Sequence, residues 1–306
     1  KMTTPHFEYL MINFGGGCNN RCIFCGTPPA TPENTMRIRE FAGLQELIEM
    51  ADYLDITSSG EIPLHPDFAE IVELLHRLAK PFAFATNGSL LHKWVDIIRG
   101  APTVDSFNNI RVSLNSLVPK TYERLCGDNL NQILQNIDLI LGLNLPNFTL
   151  TTSYVITSHN WLEIPSIVDY ALSRNIEARF FDLTPTLSYP PGLQVADTPE
   201  NRKQLEEWKQ YAKDKGANTF VFDFDMRTVT PVDLARLSER IKKCRDPYTL
   251  CGVGTDLEVS PCCYPGLTMG NLKDHSMDEI WNGEAYTDLR RCLAEGNPKY
   301  CMKCGK

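Results

Sequence analysis

GGGCNNRCIFCG, residues 15–26, places three cysteines, Cys18, Cys22 and Cys25, on one short loop with no fourth close by. The number is the clue. A structural zinc site takes four ligands, usually as two Cys-x2-Cys pairs, and a redox dithiol takes two. Three thiolates suit an iron–sulfur cluster held by one protein ligand too few, with one iron left open to another molecule. The stretch before the loop, FEYLMINF (7–14), reads as a strand, so the cysteines stand at a strand's C-terminal end.

Outward from that loop, strand-like and helical patterns alternate. A helical pattern lies around 41–51; strand 53–59 leads to helix 68–79, where Pro66 and Asp67 supply start signals. Strand 82–86 precedes helix 89–100, strand 109–115 precedes helical stretches 119–127 and 131–143, strand 148–156 precedes helix 161–175, and 177–183 closes the series. Six such units imply an α/β fold, a partial (β/α)6 barrel of parallel strands joined by right-handed crossovers. Catalytic groups of such barrels sit at the carboxyl ends of the strands, where the cysteine loop falls.

The stretch 184–201 is rich in Pro, Ser and Thr and reads as a junction. The expected division is a barrel over 1–195, a bridging segment over 196–243 and a small cysteine-rich module over 244–306. The bridge contains a polar helix (202–215), FVFDFDM (220–226) and a helix near 231–243.

Eleven cysteines fall in two groups with Cys126 alone between them. The start KMTTPHFEYL shows no signal-peptide pattern, so a reducing compartment is expected, where two thiol clusters read as two metal sites rather than a disulfide frame. A formal charge of −8 argues against nucleic acid. No apolar run approaches the roughly 20 residues of a membrane span. A cytoplasmic protein that touches neither membrane nor nucleic acid is expected.

Cys18-x3-Cys22-x2-Cys25, with Phe24 before the last cysteine, resembles the signature of the radical S-adenosylmethionine (SAM) superfamily. Its companions follow in order. SSGEIPLHPDF (58–68) resembles the family's GGE segment, with Ser59 in place of the first glycine. Gly60 there implies close backbone approach, and Glu61 implies a carboxylate for the SAM ammonium. TNGSLL (86–91) matches the turn after the third strand, and VSLNS (112–116) the fourth-strand element. There Ser113 is implied at the ribose, with Asn115 beside it. Arg124 takes the place implied for the SAM carboxylate, and the exit of the fifth strand near Ile156 the place of adenine. The resemblance implies that the three thiolates hold a [4Fe–4S] cluster whose fourth iron binds SAM. It further implies cleavage to a 5′-deoxyadenosyl radical, with electrons from a flavodoxin- or ferredoxin-type donor.

The tail from 244 to 305 resembles the SPASM/twitch module of the same superfamily, with MGNLKDHSMDEIWNG (269–283) its most specific stretch. The resemblance aligns Cys244, Cys262, Cys301 and Cys304 as ligands of one auxiliary [4Fe–4S] cluster. A zinc ribbon is the alternative that spacing alone leaves open. Cys126 and Cys292 read as packing. Cys251 falls between two cluster ligands at a usually apolar position. It is read either as a buried hydrophobe or as a hydrogen donor to a substrate radical, with Cys263, half of the Cys262–Cys263 pair, as the reserve donor.

A thiol that quenches a carbon radical from the opposite face inverts the centre. Small epimerases of the superfamily have this arrangement, so epimerisation, with a peptide substrate, is the expected reaction. Alternatives are epimerisation of an aminoglycoside or sugar carbinol, dehydrogenation with the auxiliary cluster as electron acceptor, peptide cross-linking, and a non-catalytic iron–sulfur scaffold. The few residues before the first strand leave out the winged-helix leader-binding domain of many peptide-modifying relatives. That permits a small molecule, a separate recognition protein, or a peptide held directly in the groove.

Overall fold

The computed structural model describes residues 4–26, 34–99, 107–127, 129–146, 148–183, 190–216, 220–223, 234–263 and 266–302. Its frame is one sheet in which parallel strands run β1 (Phe7–Asn13), β2 (Ala51–Thr57), β3 (Phe82–Thr86), β4 (Phe107–Ser113), β5 (Thr149–Val155) and β6 (Glu177–Phe181) in sequence order. The six expected strands are therefore neighbours in the expected order.

Two additions extend them. A seventh strand from the bridge, Phe220–Asp223 (β7), pairs parallel with β6. At the other edge Leu250–Val253 (β8) pairs parallel with β1, and Glu258–Ser260 (β9) and Gly270–Asn271 (β10) continue the sheet antiparallel. The cysteine-rich tail is thus hydrogen-bonded to the first barrel strand. That part of its attachment is main chain.

Strand alternation sorts the side chains. Leu10, Ile12, Leu54, Ile56, Ile110 and Val112 are fully buried on the outer, helix-covered face. Met11, Asn13, Asp55, Thr57, Arg111, Ser113 and Ser153 take the intervening positions and face inward. The helices answer with apolar stripes at helical spacing: Phe68, Ile71, Val72 and Leu75 of α3 (Phe68–Arg77), and Ile164, Ile167, Val168 and Ala171 of α7 (Ile164–Ser173). Each such side chain contributes about 1.5–3 kcal/mol by burial, so this outer layer holds the strands while the inner face remains polar.

The helical pattern expected around 41–51 is two short helices, Ile38–Ala42 and Gln45–Glu49, separated by Gly43 and Leu44. The bridge helix begins earlier than expected, at Pro199, because the Thr198 hydroxyl accepts the Asn201 N–H and caps it (Pro199–Asp214). In the tail, Trp281 of Met277–Asn282 meets Phe7 of β1 edge-on at 5.3 Å. The Arg290 guanidinium lies 3.7 Å over the Trp281 ring and 4.6 Å from Tyr286. Among the described residues no helix is long and apolar enough to cross a membrane.

Candidate active site

A cavity of about 1030 Å3 opens at the C-terminal ends of β1 to β5. Cys18, Cys22 and Cys25 line it together with Phe24, Gly60, Glu61, Ser113 and Asn115, so eight of the expected first-site residues share one wall. The size is at the upper end for a small-molecule site.

Local hydrogen bonds explain why the loop stands there. Asn13 Oδ1, at the end of β1, accepts from the Gly15 N–H at 2.9 Å and the Ser59 N–H at 3.1 Å, which ties the loop to the segment after β2. The Ser58 hydroxyl donates to the Gly15 carbonyl, and the Glu61 N–H donates to the Gly17 carbonyl at 2.8 Å. A Cβ on Gly60 would lie 2.3 Å from both the Gly16 and Gly17 carbonyl oxygens. The glycine is therefore required for loop-against-loop packing as well as for the cavity wall. On the far side Asn19 donates to the Ser89 hydroxyl and accepts from Asn87 Nδ2, both within 2.9 Å.

Glu61 is almost fully buried, its carboxylate accepting the Asn87 N–H at 2.6 Å and the Thr86 hydroxyl. Burial pushes its carboxyl up to about 7, against the opposing pull of those two donors. Such a group is arranged to receive a cation. Burial also pushes the Cys18 thiol up, and contact with Cys126 followed by burial does the same for Cys22.

Asn115 uses both ends of its amide inside the protein, accepting the Val155 N–H at 2.9 Å and donating to Cys126 Sγ at 3.5 Å. It joins β4 to β5 rather than reaching into the cavity with a free group. Arg124 is exposed on α5 (Pro119–Leu125) and absent from the cavity wall. It stands beside His159, which burial first and that guanidinium second push down. Ile156 is buried, its N–H donating to the Phe181 carbonyl at 2.8 Å, and the residue that lines the cavity there is Val155.

A smaller cavity of about 250 Å3 has Thr57 on its wall, the residue before Ser58 of the larger one. Met11, Asn13, Gly252, Cys262 and Cys263 line it. Cys251 does not. Register pairs Cys251 with Leu10 and Gly252 with Met11, so Cys251 shares the outer face with Leu10. It is fully buried there, its thiol pushed up to about 12 by burial, next to the buried Tyr286. The expectation that Cys251 faces the site is corrected: its side chain lies behind the strand. Cys263 is exposed and on the cavity side.

Cys244 follows the helix Leu234–Ile241, and Cys301 follows the turn after Glu284–Glu295. Gly296, at φ +71°, lets that turn pack on the first helix, since a Cβ would lie 2.3 Å from Ser238 Oγ. Both cysteines and Cys262 are half-buried. Cys304 lies outside the described residues.

The residues fit the implied groups. Among the described residues no three Cys, His, Asp or Glu side chains converge tightly enough for a single metal ion. The three loop thiols instead border a cavity that also holds a buried carboxylate and the Tyr122 hydroxyl, buried with no hydrogen-bond partner among the described residues. That donor set suits a multi-iron cluster with a cationic ligand beside it. The motif reading missed Asn13, Asn19, Thr86, Asn87 and Tyr122; of these, Asn13 and Asn19 stand inside FEYLMINF and GGGCNNRCIFCG, and Thr86 and Asn87 inside the TNGSLL turn.

The comparisons agree. The radical SAM superfamily model matches residues 12–171, and an iron–sulfur cluster-binding domain model, SPASM, matches 244–305. A GTP 3′,8-cyclase of Nautilia profundicola is 25% identical over 226 residues, covering 70% of this chain and 69% of its own length. The same enzyme of Limosilactobacillus fermentum is 24% identical over 211 residues, and the chain spans only 58% of it. Crystal structures of Streptococcus suis SuiB, bound to S-adenosylmethionine and bound to precursor peptide SuiA, superpose with TM-scores of 0.72 and 0.73 at 17% identity. Each covers 97% of this chain, and 72% and 70% of the respective SuiB chain, which shows a shared fold. The superfamily match spans just over half of the sequence and includes the cysteine loop and its cavity: the chain belongs to the radical SAM superfamily, carrying SAM on a [4Fe–4S] cluster and a C-terminal SPASM-type auxiliary-cluster domain.

Proposed function

We propose that this chain is a radical SAM epimerase acting on a peptide, in which the hydrogen donor is Cys263. The observation that carries the reading is where the two thiols lie: Cys263, past β9, borders the smaller cavity, whereas Cys251 is buried on the outer face of β8. Cys18, Cys22 and Cys25 hold the first cluster, and Cys244, Cys262, Cys301 and Cys304 the second. Bound SAM and the reduced cluster supply a carbon-centred radical able to take hydrogen from an unactivated C–H.

The protein's own groups do the rest. Glu61 receives the ligand ammonium, and Ser113 and Phe24 line its seat. Cys263 breaks its S–H bond to form a new C–H on the opposite face of the substrate radical. One electron from a flavodoxin- or ferredoxin-type donor and a solvent proton restore the thiol. The inner face offers polar anchors for a substrate: Arg111 paired with Asp55 at 2.5 Å, and Arg179 with Glu177. A peptide is supported by the shared fold with SuiB, whose structure holds its precursor peptide.

A second reading is dehydrogenation, favoured by Cys262, which borders the same small cavity and would bring the auxiliary cluster within reach of the substrate radical as electron acceptor. Turnover in heavy water separates the two. Epimerisation places one deuterium at the inverted carbon and is lost in Cys263→Ala with 5′-deoxyadenosine still formed. A product two mass units lighter without deuterium rejects epimerisation.

A further inference from the structure

Tyr122 and Cys126 are four residues apart at the end of α5, so they share one helical face. That face lies under the cysteine loop. The Arg21 N–H donates to the Cys126 carbonyl at 3.2 Å, and the Ile23 N–H donates to the Leu125 carbonyl at 3.0 Å. The two residues flanking Cys22 are thus both bonded to the end of α5, which brings Cys22 beside Cys126. Cys126, expected to be helix packing, is buried in the core and has a polar contact besides.

Its sulfur accepts Asn115 Nδ2 at 3.5 Å. The Cys126 S–H hydrogen is then free to point at Cys22, in a relay from Asn115 through Cys126 to the loop. Tyr122 has no exposed surface, borders the large cavity, and its hydroxyl has no hydrogen-bond partner among the described residues. Its polar neighbour Asn20 already spends Oδ1 on Asn129 Nδ2 at 2.8 Å. A buried hydroxyl without an acceptor is costly, and its presence beside the cysteine loop points to an acceptor that arrives with the cluster.

We propose that Tyr122 and Cys126 are positioning residues for the first cluster, their O–H and S–H groups donating hydrogen bonds to its sulfur atoms at the Cys22 edge and setting its reduction potential. A donor on a cluster sulfur stabilises the reduced, more negative state and raises the potential. The inference rests on Cys18, Cys22 and Cys25 being the ligands of that cluster.

The test is a redox titration of the anaerobically reconstituted full chain, followed by electron paramagnetic resonance. The first cluster is identified by the change in its signal on adding SAM. Tyr122→Phe and Cys126→Ala should each move its midpoint to a more negative value with iron content unchanged. Cys126→Ser, which keeps a donor and nearly the same shape, should return toward the wild-type midpoint. A midpoint unmoved in both Tyr122→Phe and Cys126→Ala overturns the proposal. So does a Cys126→Ser midpoint displaced as far as that of Cys126→Ala. If instead Cys22→Ala retains full iron and the SAM-sensitive signal, the ligand assignment itself has failed.

Discussion

Replacing Glu61 by glutamine keeps the shape of a nearly fully buried side chain and removes its charge. The carboxylate accepts the Asn87 N–H at 2.6 Å and the Thr86 hydroxyl, leaving its remaining lone pairs toward the cavity. Loss of a charged hydrogen bond to the SAM ammonium costs about 1.5–3 kcal/mol, which is roughly ten- to a hundredfold in affinity. The pH dependence is the sharper signature. With a carboxyl near 7 in the ligand-free protein, cation binding must expel a proton below that pH. SAM affinity should therefore rise as pH increases toward 7 and level off above it, and Glu61→Gln should be both weaker and flat. The same group affects stability with a definite sign. Its folded value of about 7 exceeds the reference 4.5, so the stabilisation is complete below 4.5 and lost as pH rises through 7. The loss is of the order of 3 kcal/mol at 1.36 kcal/mol per unit. Calorimetric titration of SAM into reconstituted protein across pH 5.5 to 8.5 measures the first effect, and urea unfolding of the cluster-free protein the second. Equal affinity and equal pH slope in the wild type and Glu61→Gln would remove Glu61 from the site.

Anaerobic reconstitution should give about eight irons per chain, and changing Cys18, Cys22 and Cys25 together to Ala should leave about four; zinc with a single cluster's iron would reject the second cluster. Arg124→Ala should leave SAM affinity at the wild-type value because the guanidinium is outside the cavity wall; a large loss in the same calorimetric titration would restore it to the SAM carboxylate. Trp281→Ala should destabilise the chain by about 3–5 kcal/mol, since it removes the ring that joins Phe7 to Arg290; a thermal midpoint unchanged from wild type would show that the tail is held by β8 alone.

The cysteine loop was legible because its chemistry is local: three thiols within eight residues, after one strand, need no tertiary information. The six barrel strands were legible for a similar reason, since each carries its own alternation. What stayed hidden was contact between distant segments. Nothing in LCGV (250–253) says that it will pair with FEYLMIN (7–13), yet that pairing joins the tail to the barrel. Asn13 and Asn19 are short polar side chains whose partners, Ser59 and Asn87, come from other loops. Arg124 is the opposite case: the family resemblance puts it at the ligand, while the structure has it exposed on its helix and outside the cavity wall. Tyr122 and Cys126 did carry a readable sign, two potential hydrogen-bond donors at helical spacing just past the fourth-strand element.

The proposal of Cys263 rather than Cys251 as donor turns on strand parity. Successive residues of a strand point to opposite faces, so a shift of one residue in the β1–β8 pairing would bring the Cys251 thiol inward. The register is held against that shift from both sides. Leu10 and Ile12 are fully buried against the helices, and Cys251 and Val253 beside them fill the same apolar layer. A slip would carry Leu250 and Gly252 to that layer and drive the Cys251 side chain toward a cavity lined by Asn13 and Thr57. Gly252 supplies no side chain for the outer layer, so the slipped pairing leaves a void where Cys251 and Val253 now pack. The outward face of Cys251 is therefore selected by core packing around Leu10, and the sequence feature that encodes it is the glycine between Cys251 and Val253.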